Sequence, residues 1–446
     1  MTGIFAPKIN SSIKSVTIDI SMEMKYRILT QQLPWEEMAS IANIERAKTV
    51  DINNGRPLNL RLHLGAYLAQ SMNGWTDRET EEMVRFHAGI RVLCGINGTE
   101  KTLDHTSIET FRNSLGKEGA ENLNQVALEF ITLKGFTSGE ICSSDTTVQE
   151  APIAYPTEVG HLKNISGKLL EIGRKIKKGI AEKLINLQGK VMDIFTEIRL
   201  FTKGKKEKVI EKKKELSRKL FRKVKLMKEI VKKAAARMTK KSKMKYQENI
   251  DFYSKMLGQI IKWIETGIHP RGKIISLWNQ GARAITRDKA AKATEFGRRW
   301  IITRLMNGYI MGRPCHKLGG DADTGIAEEV LPQFLDMFGK VPDTFVYDRG
   351  GDGPINHQML GNVGVKNIAI FRKGKNKMEV PKKIFKIAKR ERALTEASIA
   401  TIKASKYGFN KPRAKSEEGC ISKGHIAILG ANLNKLSGDL IFGLKM

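Results

Sequence analysis

Cysteine is scarce and never clustered: Cys94, Cys142, Cys315 and Cys420 lie far apart with no CxxC pair. Neither a disulfide framework nor a zinc site follows from such spacing. No apolar run reaches the ~18–20 residues that would span a bilayer, and Met1 to Lys8 lack the apolar core of a signal peptide. The expectation is a cytoplasmic, bacterial-type protein without a membrane partner. Aromatic residues make up only 7% of the chain and no RNP-type motif occurs, leaving few platforms for stacking single-stranded bases. Acidic residues are outnumbered, 47 against 78 Lys and Arg, for a net charge of +31. An excess of that size points to nucleic acid as the partner. At 446 residues the chain has room for two or three domains, since domains mostly run to about 100–150 residues.

Residues 22–136 read as mainly helical. Leu60, Leu62, Leu64, Tyr67 and Leu68 lie near one helical face, and Thr76 followed by Glu79 has the spacing of a capping box. Met83, Phe86, Ile90 and Leu93 read as the next amphipathic stretch, and a further helix covers 120–135. This all-α unit is either a helix-turn-helix DNA reader or a dimerisation bundle. Composition then shifts: residues 161–250 hold 29 Lys/Arg and 9 Asp/Glu, +20 of the net +31. Apolar residues recur three and four apart from Ile172 to Phe201 and from Leu216 to Ala234, broken at Phe201 to Gly204. That pattern predicts two long helices packed as an antiparallel hairpin. One-signed charge favours a DNA-gripping arm over a coiled-coil arm or a solvated face.

Beyond residue 295 the pattern becomes α/β. Arg298 to Leu305 and Gly308 to Met311 form a hairpin about Asn307-Gly308, and Asp323-Thr324 opens a helix closed by Gly339. A strand at Thr344 to Tyr347, a Gly-rich turn, a helix over His357 to Val363, a strand at Val365 to Ile370 and a final helix over 384–406 follow.

Three carboxylates stand out in this frame. Asp145 lies in an apolar run ending in Thr-Thr-Val, Asp348 ends the Thr-Phe-Val-Tyr strand, and Glu396 sits on the final helix. Hard divalent cations take oxygen ligands, and a pair of them about 3.5–4 Å apart can drive in-line displacement at phosphorus. On a basic chain the trio therefore reads as a metal-dependent site for DNA strand cleavage and transfer. Singly, each acid also has a plainer reading as a turn or solvated residue. Asp321, Asp323, Asp343, Asp352 and Glu150 are the fallback ligands. Thr146, Gln149 and Arg349 are candidate neighbours of the site.

Arg392, Glu396 and Lys403 have the Arg-x3-Glu-x6-Lys spacing that resembles the Y-R-E-K signature of insertion-sequence DDE transposases. Lys389 stands where that signature has tyrosine. Arg392 to Ile399 and Lys403 to Asn410 resemble the ISNCY-type group. So do Tyr26 to Trp35, Gly55 to Leu60, Asp145 to Ala151, Tyr155 to Glu158 and Tyr347 to Gly351, a likeness running from about residue 22 to 440. The resemblance implies an α/β RNase H-like catalytic core with a mixed sheet and flanking helices, formed by 137–160 and 266–446. It implies a helical N-terminal domain (1–136) that recognises terminal inverted repeats, and a basic helical-hairpin insertion at 161–265. It also implies cutting and strand transfer on double-stranded terminal-repeat and target DNA. Two Mg²⁺ ions, or Mn²⁺, would be held by Asp145, Asp348 and Glu396, with Arg392, Lys403 and Arg349 on DNA. A homodimer assembled on DNA and nucleoid association complete the expectation. The readings of a different class are a catalytically silent DNA-binding protein, a plain RNase H-like nuclease, and a basic structural or RNA-binding protein.

Overall fold

The computed structural model describes residues 24–51, 57–97, 100–201, 207–270, 272–286, 294–316, 322–372, 378–414 and 416–443. Helical residues 24–32 (α1) precede α2 (Trp35–Ala47), α3 (Leu60–Asn73), α4 (Asp77–Phe86), α5 (Ala88–Leu93) and α6 (His105–Leu133). Then come β1 (Ile141–Glu150), α7 (Glu158–Ile176), α8 (Lys178–Phe201), α9 (Glu207–Ala236), α10 (Lys240–Thr266) and β2 (Arg283–Thr286). The chain continues through β3 (Thr294–Arg304), β4 (Ile310–Pro314), α11 (Ile326–Phe338), β5 (Thr344–Tyr347), α12 (Pro354–Asn362), β6 (Asn367–Ile370), α13 (Lys382–Lys403) and α14 (Glu417–Phe442). Two compact units result: Met1–Pro152 with Gly297–Met446, and Ile153–Phe296.

In the first unit β4, β3, β1, β5 and β6 lie side by side in that order. The β4–β3 and β3–β1 pairs are antiparallel, and the β1–β5 and β5–β6 pairs are parallel. The hairpin expected at Asn307-Gly308 forms because both residues hold positive φ, 59° and 86°, as a tight turn between twisted strands requires. Helix α11 covers one face of the sheet: Val330 and Phe334 share a core with Phe345 and Tyr347. Helix α13 covers the other, where Ala388 packs with Val346 and Ala369. The N-terminal helices belong to the same core, which runs from Leu29 and Leu68 through Ile131 to Leu429 and Leu433.

Several local expectations hold and several need correction. Thr76 and Glu79 close the capping box reciprocally at 3.2 and 2.6 Å. The amphipathic stretch through Met83 and Leu93 is broken, however. His87 is extended (φ −93°, ψ 115°) and its ring nitrogen accepts from Ile90 N–H, starting α5, which leaves Phe86 exposed. Helix α3 is buried on nearly all sides rather than on one face. The helix expected over 120–135 begins at His105 and bends at Gly116, whose φ of 66° and ψ of −162° only glycine adopts readily. The helix at 384–406 is not the last, because α14 follows it. Its side chains are buried around the whole circumference, so no apolar stripe marks it. Asn432 in α14 accepts from Ile310 N–H (2.9 Å) and donates to Ile310 carbonyl (2.7 Å), satisfying the outer edge of β4.

Among the described residues the second unit is a four-helix arrangement rather than a hairpin. Helices α7 and α8 are divided at Lys177, which is extended (φ −162°, ψ 143°), while Thr239 precedes α10. Apolar spacing runs on unbroken past Lys177, so sequence periodicity merges two helices there. Leu169, Leu184, Val191, Leu220, Val224, Met227 and Ile260 form a core of its own. The break expected at Thr202 to Gly204 lies outside the described residues, as do Gly55 and Arg56.

Candidate active site

Asp145 sits in the middle of β1, the strand flanked on both sides by others. Side chains alternate between faces along a strand, so Ser143 and Asp145 share a face. Ser143 identifies that face: its buried hydroxyl meets Thr395 Oγ1 of α13 at 2.7 Å. On β5, Val346 packs toward α13, and Asp348, two residues on and still extended (φ −77°, ψ −178°), follows it. Parallel pairing sets Ser143 opposite Val346, and the same register carried two residues further sets Asp145 opposite Asp348. Neighbouring strands run about 4.8 Å apart, so the backbones at the two positions leave the paired ladder at the same end of the sheet, Asp348 one residue past β5. Asp348 is also held by its own turn, accepting from Gly350 N–H at 2.8 Å, while Asp145 accepts from Thr146 N–H at 2.7 Å.

Glu396 stands on α13, the helix across that face, one residue past Thr395. Two interactions fix the helix. The first is the Ser143–Thr395 hydroxyl pair; the second is the ion pair of Arg304 and Glu391 at 2.6 Å, each side chain only 11% exposed. Burial lowers the Arg304 pKa and the Glu391 carboxylate raises it part of the way back, so the pair stays ionic. Glu396 itself is 60% exposed and pairs with Arg392 at 3.6 Å. Among the described residues no three His, Cys, Asp or Glu side chains are grouped to hold a metal ion. Asp145 and Asp348 thus each follow the last paired residues of adjacent strands, and Glu396 stands on the helix over that face of the sheet without joining them.

The fallback acids separate clearly. Asp343 pairs with Lys366 at 2.7 Å, Asp352 with Arg372 at 3.2 Å and His357 at 3.4 Å, and Glu150 with Lys411 at 3.8 Å. Asp321 lies outside the described residues. Asp323 differs from them. On the opposite face of the sheet its Oδ1 accepts from the Tyr347 hydroxyl (2.8 Å) and the Thr146 hydroxyl (3.4 Å), with Arg299 3.8 Å away. A methyl group built on Gly350 would lie 2.9 Å from Asp348 Oδ1 and 3.0 Å from Asp323 Oδ2, so Asp323 reaches round the sheet end toward Asp348. The Tyr347 hydroxyl is held far above its ordinary pKa, first by burial and then by the negative field of Asp323, Asp145 and Asp348. Only Asp323 of the three bonds that phenol among the described residues; Asp145 and Asp348 act on it through their charge. Tyr347, Thr395 and Ser143 escape sequence reasoning because each looks like an ordinary strand or helix residue.

Of the accessory residues, Arg392 lies over the Phe371 ring at 5.3 Å, Lys403 ends α13 half-buried, and Arg349 is exposed in the turn after Asp348. Gln149 is committed elsewhere, accepting from Trp300 Nε1 (3.0 Å) and donating to the Cys420 carbonyl (2.8 Å).

Comparison with known families gives one result, over the N-terminal helices. Residues 16–114 match the family described as Transposase domain (DUF772). That stretch, less than a quarter of the chain, takes in α1 to α5 and the start of α6. It supports a transposase function and, with it, DNA processing and DNA binding. No curated protein and no solved structure matches the chain. No helix of the described residues is long and apolar enough to cross a membrane.

Proposed function

We propose that this chain is a DDE-type transposase of an insertion sequence. In this reading an RNase H-like core cuts DNA at terminal inverted repeats and joins the freed ends to target DNA. The observation that carries the proposal is the parallel pairing of β1 with β5, in register at Ser143 and Val346, two residues before Asp145 and Asp348, with the helix that bears Glu396 packed on that face. The strand order, with three antiparallel strands followed by two parallel ones, supports the RNase H-like assignment.

Asp145, Asp348 and Glu396 would hold two Mg²⁺ ions, or Mn²⁺, with Glu396 leaving its Arg392 contact to do so. Bound there, the ions would polarise the scissile phosphate and neutralise the attacking and departing oxygens. The protein's own work is positioning. The Ser143–Thr395 and Arg304–Glu391 contacts keep α13 against the sheet. Arg392, one turn before Glu396, and Lys403, two turns after it, would grip phosphates on either side of the scissile bond, and Arg349 would meet the same strand. The N-terminal helices would read the terminal repeats and the basic four-helix unit would grip flanking DNA. A two-fold dimer, one site per element end, suits concerted cutting, with the protein on the nucleoid in the cytoplasm.

The test is cleavage of repeat-bearing DNA in Mg²⁺, scored with binding. Replacing Asp145, Asp348 or Glu396 by Ala should abolish cleavage and leave affinity nearly unchanged, since affinity rests on Lys and Arg. The exposed, Arg392-paired Glu396 favours a second reading, a catalytically silent DNA-binding protein. That reading prevails if the wild-type chain binds the repeats and never nicks them.

A further inference from the structure

A cavity of about 520 Å³ opens in the first unit, beside the bend of α6 at Gly116, away from the carboxylate pair. Its walls are α6, the segment leading into α14, and the first turns of α14 itself. The charges are layered. Glu109 and Glu418 line it but are exposed, and Glu418 faces outward to Lys117 at 3.7 Å. Deeper in are Lys423 and Arg112, with Arg413 above them. The Arg112 guanidinium is already taken: it forks onto Asp77, with Nη2 donating to Oδ2 at 2.9 Å. Asp77 is thereby occupied, and the Lys423 ammonium has no hydrogen bond or ion pair among the described residues. Burial, helped by Arg112 and Arg413 and opposed by Asp77, pulls its pKa down to about 8.

A partly buried ammonium beside two guanidiniums gathers positive charge that a bound anion would offset. The N-terminus of α14, the positive end of a 26-residue helix, closes the same wall. Ser416 caps only the Gly419 N–H there, at 3.0 Å. We propose that this cavity is a phosphate-binding site, in which Lys423 and Arg413 contact a phosphate group and Arg112, fixed by Asp77, adds charge from behind. The group is either a free small phosphate or the terminal phosphate of a nucleic-acid strand; both present the same dianionic oxygens. The site does not depend on the catalytic reading.

Calorimetric titration of the full chain with inorganic phosphate in chloride buffer tests it. Saturable binding should weaken at least tenfold in Lys423→Met and in Arg413→Gln, survive in Lys423→Arg, and be unchanged in Lys366→Gln, an exposed lysine elsewhere on the unit. Arg413 is exposed, so its variant decides the matter even if Lys423→Met misfolds. Competition by a 5′-phosphorylated oligonucleotide, and not by its 5′-hydroxyl twin, assigns the site to a strand end; failure of both to compete assigns it to a free phosphate. No saturable binding, or equal weakening in Lys366→Gln and Arg413→Gln, would overturn the proposal, since diffuse surface charge would then account for the uptake.

Discussion

The Ser143–Thr395 contact is the bond on which the position of Glu396 rests, and its removal has a calculable cost. Both residues are 1% exposed, and their hydroxyls stand 2.7 Å apart. Thr395 keeps a second partner, the Glu391 carbonyl at 2.9 Å, whereas Ser143 Oγ meets no other hydroxyl among the described residues. Thr395→Val therefore orphans a buried hydroxyl and should cost about 2 kcal/mol, while Ser143→Ala should cost about 1 kcal/mol. The double variant leaves no orphan and should cost less than the sum by about 1 kcal/mol or more. In a chain of this size that amounts to a fall in unfolding temperature of about 1–1.5 °C per kcal/mol, measurable by calorimetry. Cleavage by Thr395→Val, assayed well below its unfolding temperature, should fall further than stability does, because α13 carries Glu396. Strictly additive effects, or full cleavage in Thr395→Val, would refute the idea that this pair fixes α13 on β1.

Three other outcomes follow from the same structure. A methyl group on Gly430 would collide with the Ser71 carbonyl where α14 crosses α3, so Gly430→Ala should lower the unfolding temperature by several degrees and reduce soluble yield. Arg218, Arg222, Lys225 and Lys232 lie exposed along α9; changing all four to Gln should flatten the slope of log K against log salt for DNA by about 0.9 for each phosphate that the chain no longer neutralises. Lys423 has a folded pKa of about 8 against 10.5 unfolded, so the unfolded chain binds the extra proton between those values and stability should rise with pH across that window. Lys423→Met should flatten that rise in urea titrations at pH 7 and pH 10, and an unchanged pH profile would remove Lys423 as its source.

Much of this arrangement is legible in the sequence, for identifiable reasons. Turn chemistry is local, so Asn307-Gly308, the Thr76–Glu79 box and Gly339 can be read residue by residue. β5 at Thr344–Tyr347 emerges from a short apolar run bounded by turn residues. What escapes such reading depends on partners far along the chain. Helix α14 is surrounded by core and so has no polar face to mark it. The division of α7 from α8 rests on the backbone of one residue, Lys177, with neither Gly nor Pro there to announce it. The N-terminal helices, expected as a domain of their own, share a core with the sheet through contacts such as Gly430 on Ser71. Asp323 looks no different in sequence from Asp343 or Asp352; only the fold binds those two to Lys366 and Arg372 and brings Asp323 to Tyr347.

Manganese uptake followed by electron paramagnetic resonance measures the central claim most directly, because free aqueous Mn²⁺ gives a signal that carboxylate ligation broadens away. The wild-type chain should remove Mn²⁺ from solution saturably, and Asp145→Ala and Asp348→Ala should each abolish that uptake, with Glu396→Ala weakening it. Asp343→Ala, which removes an exposed acid paired with Lys366, should bind as the wild type does. Undiminished uptake in Asp145→Ala or Asp348→Ala would contradict a metal site built on those two strands.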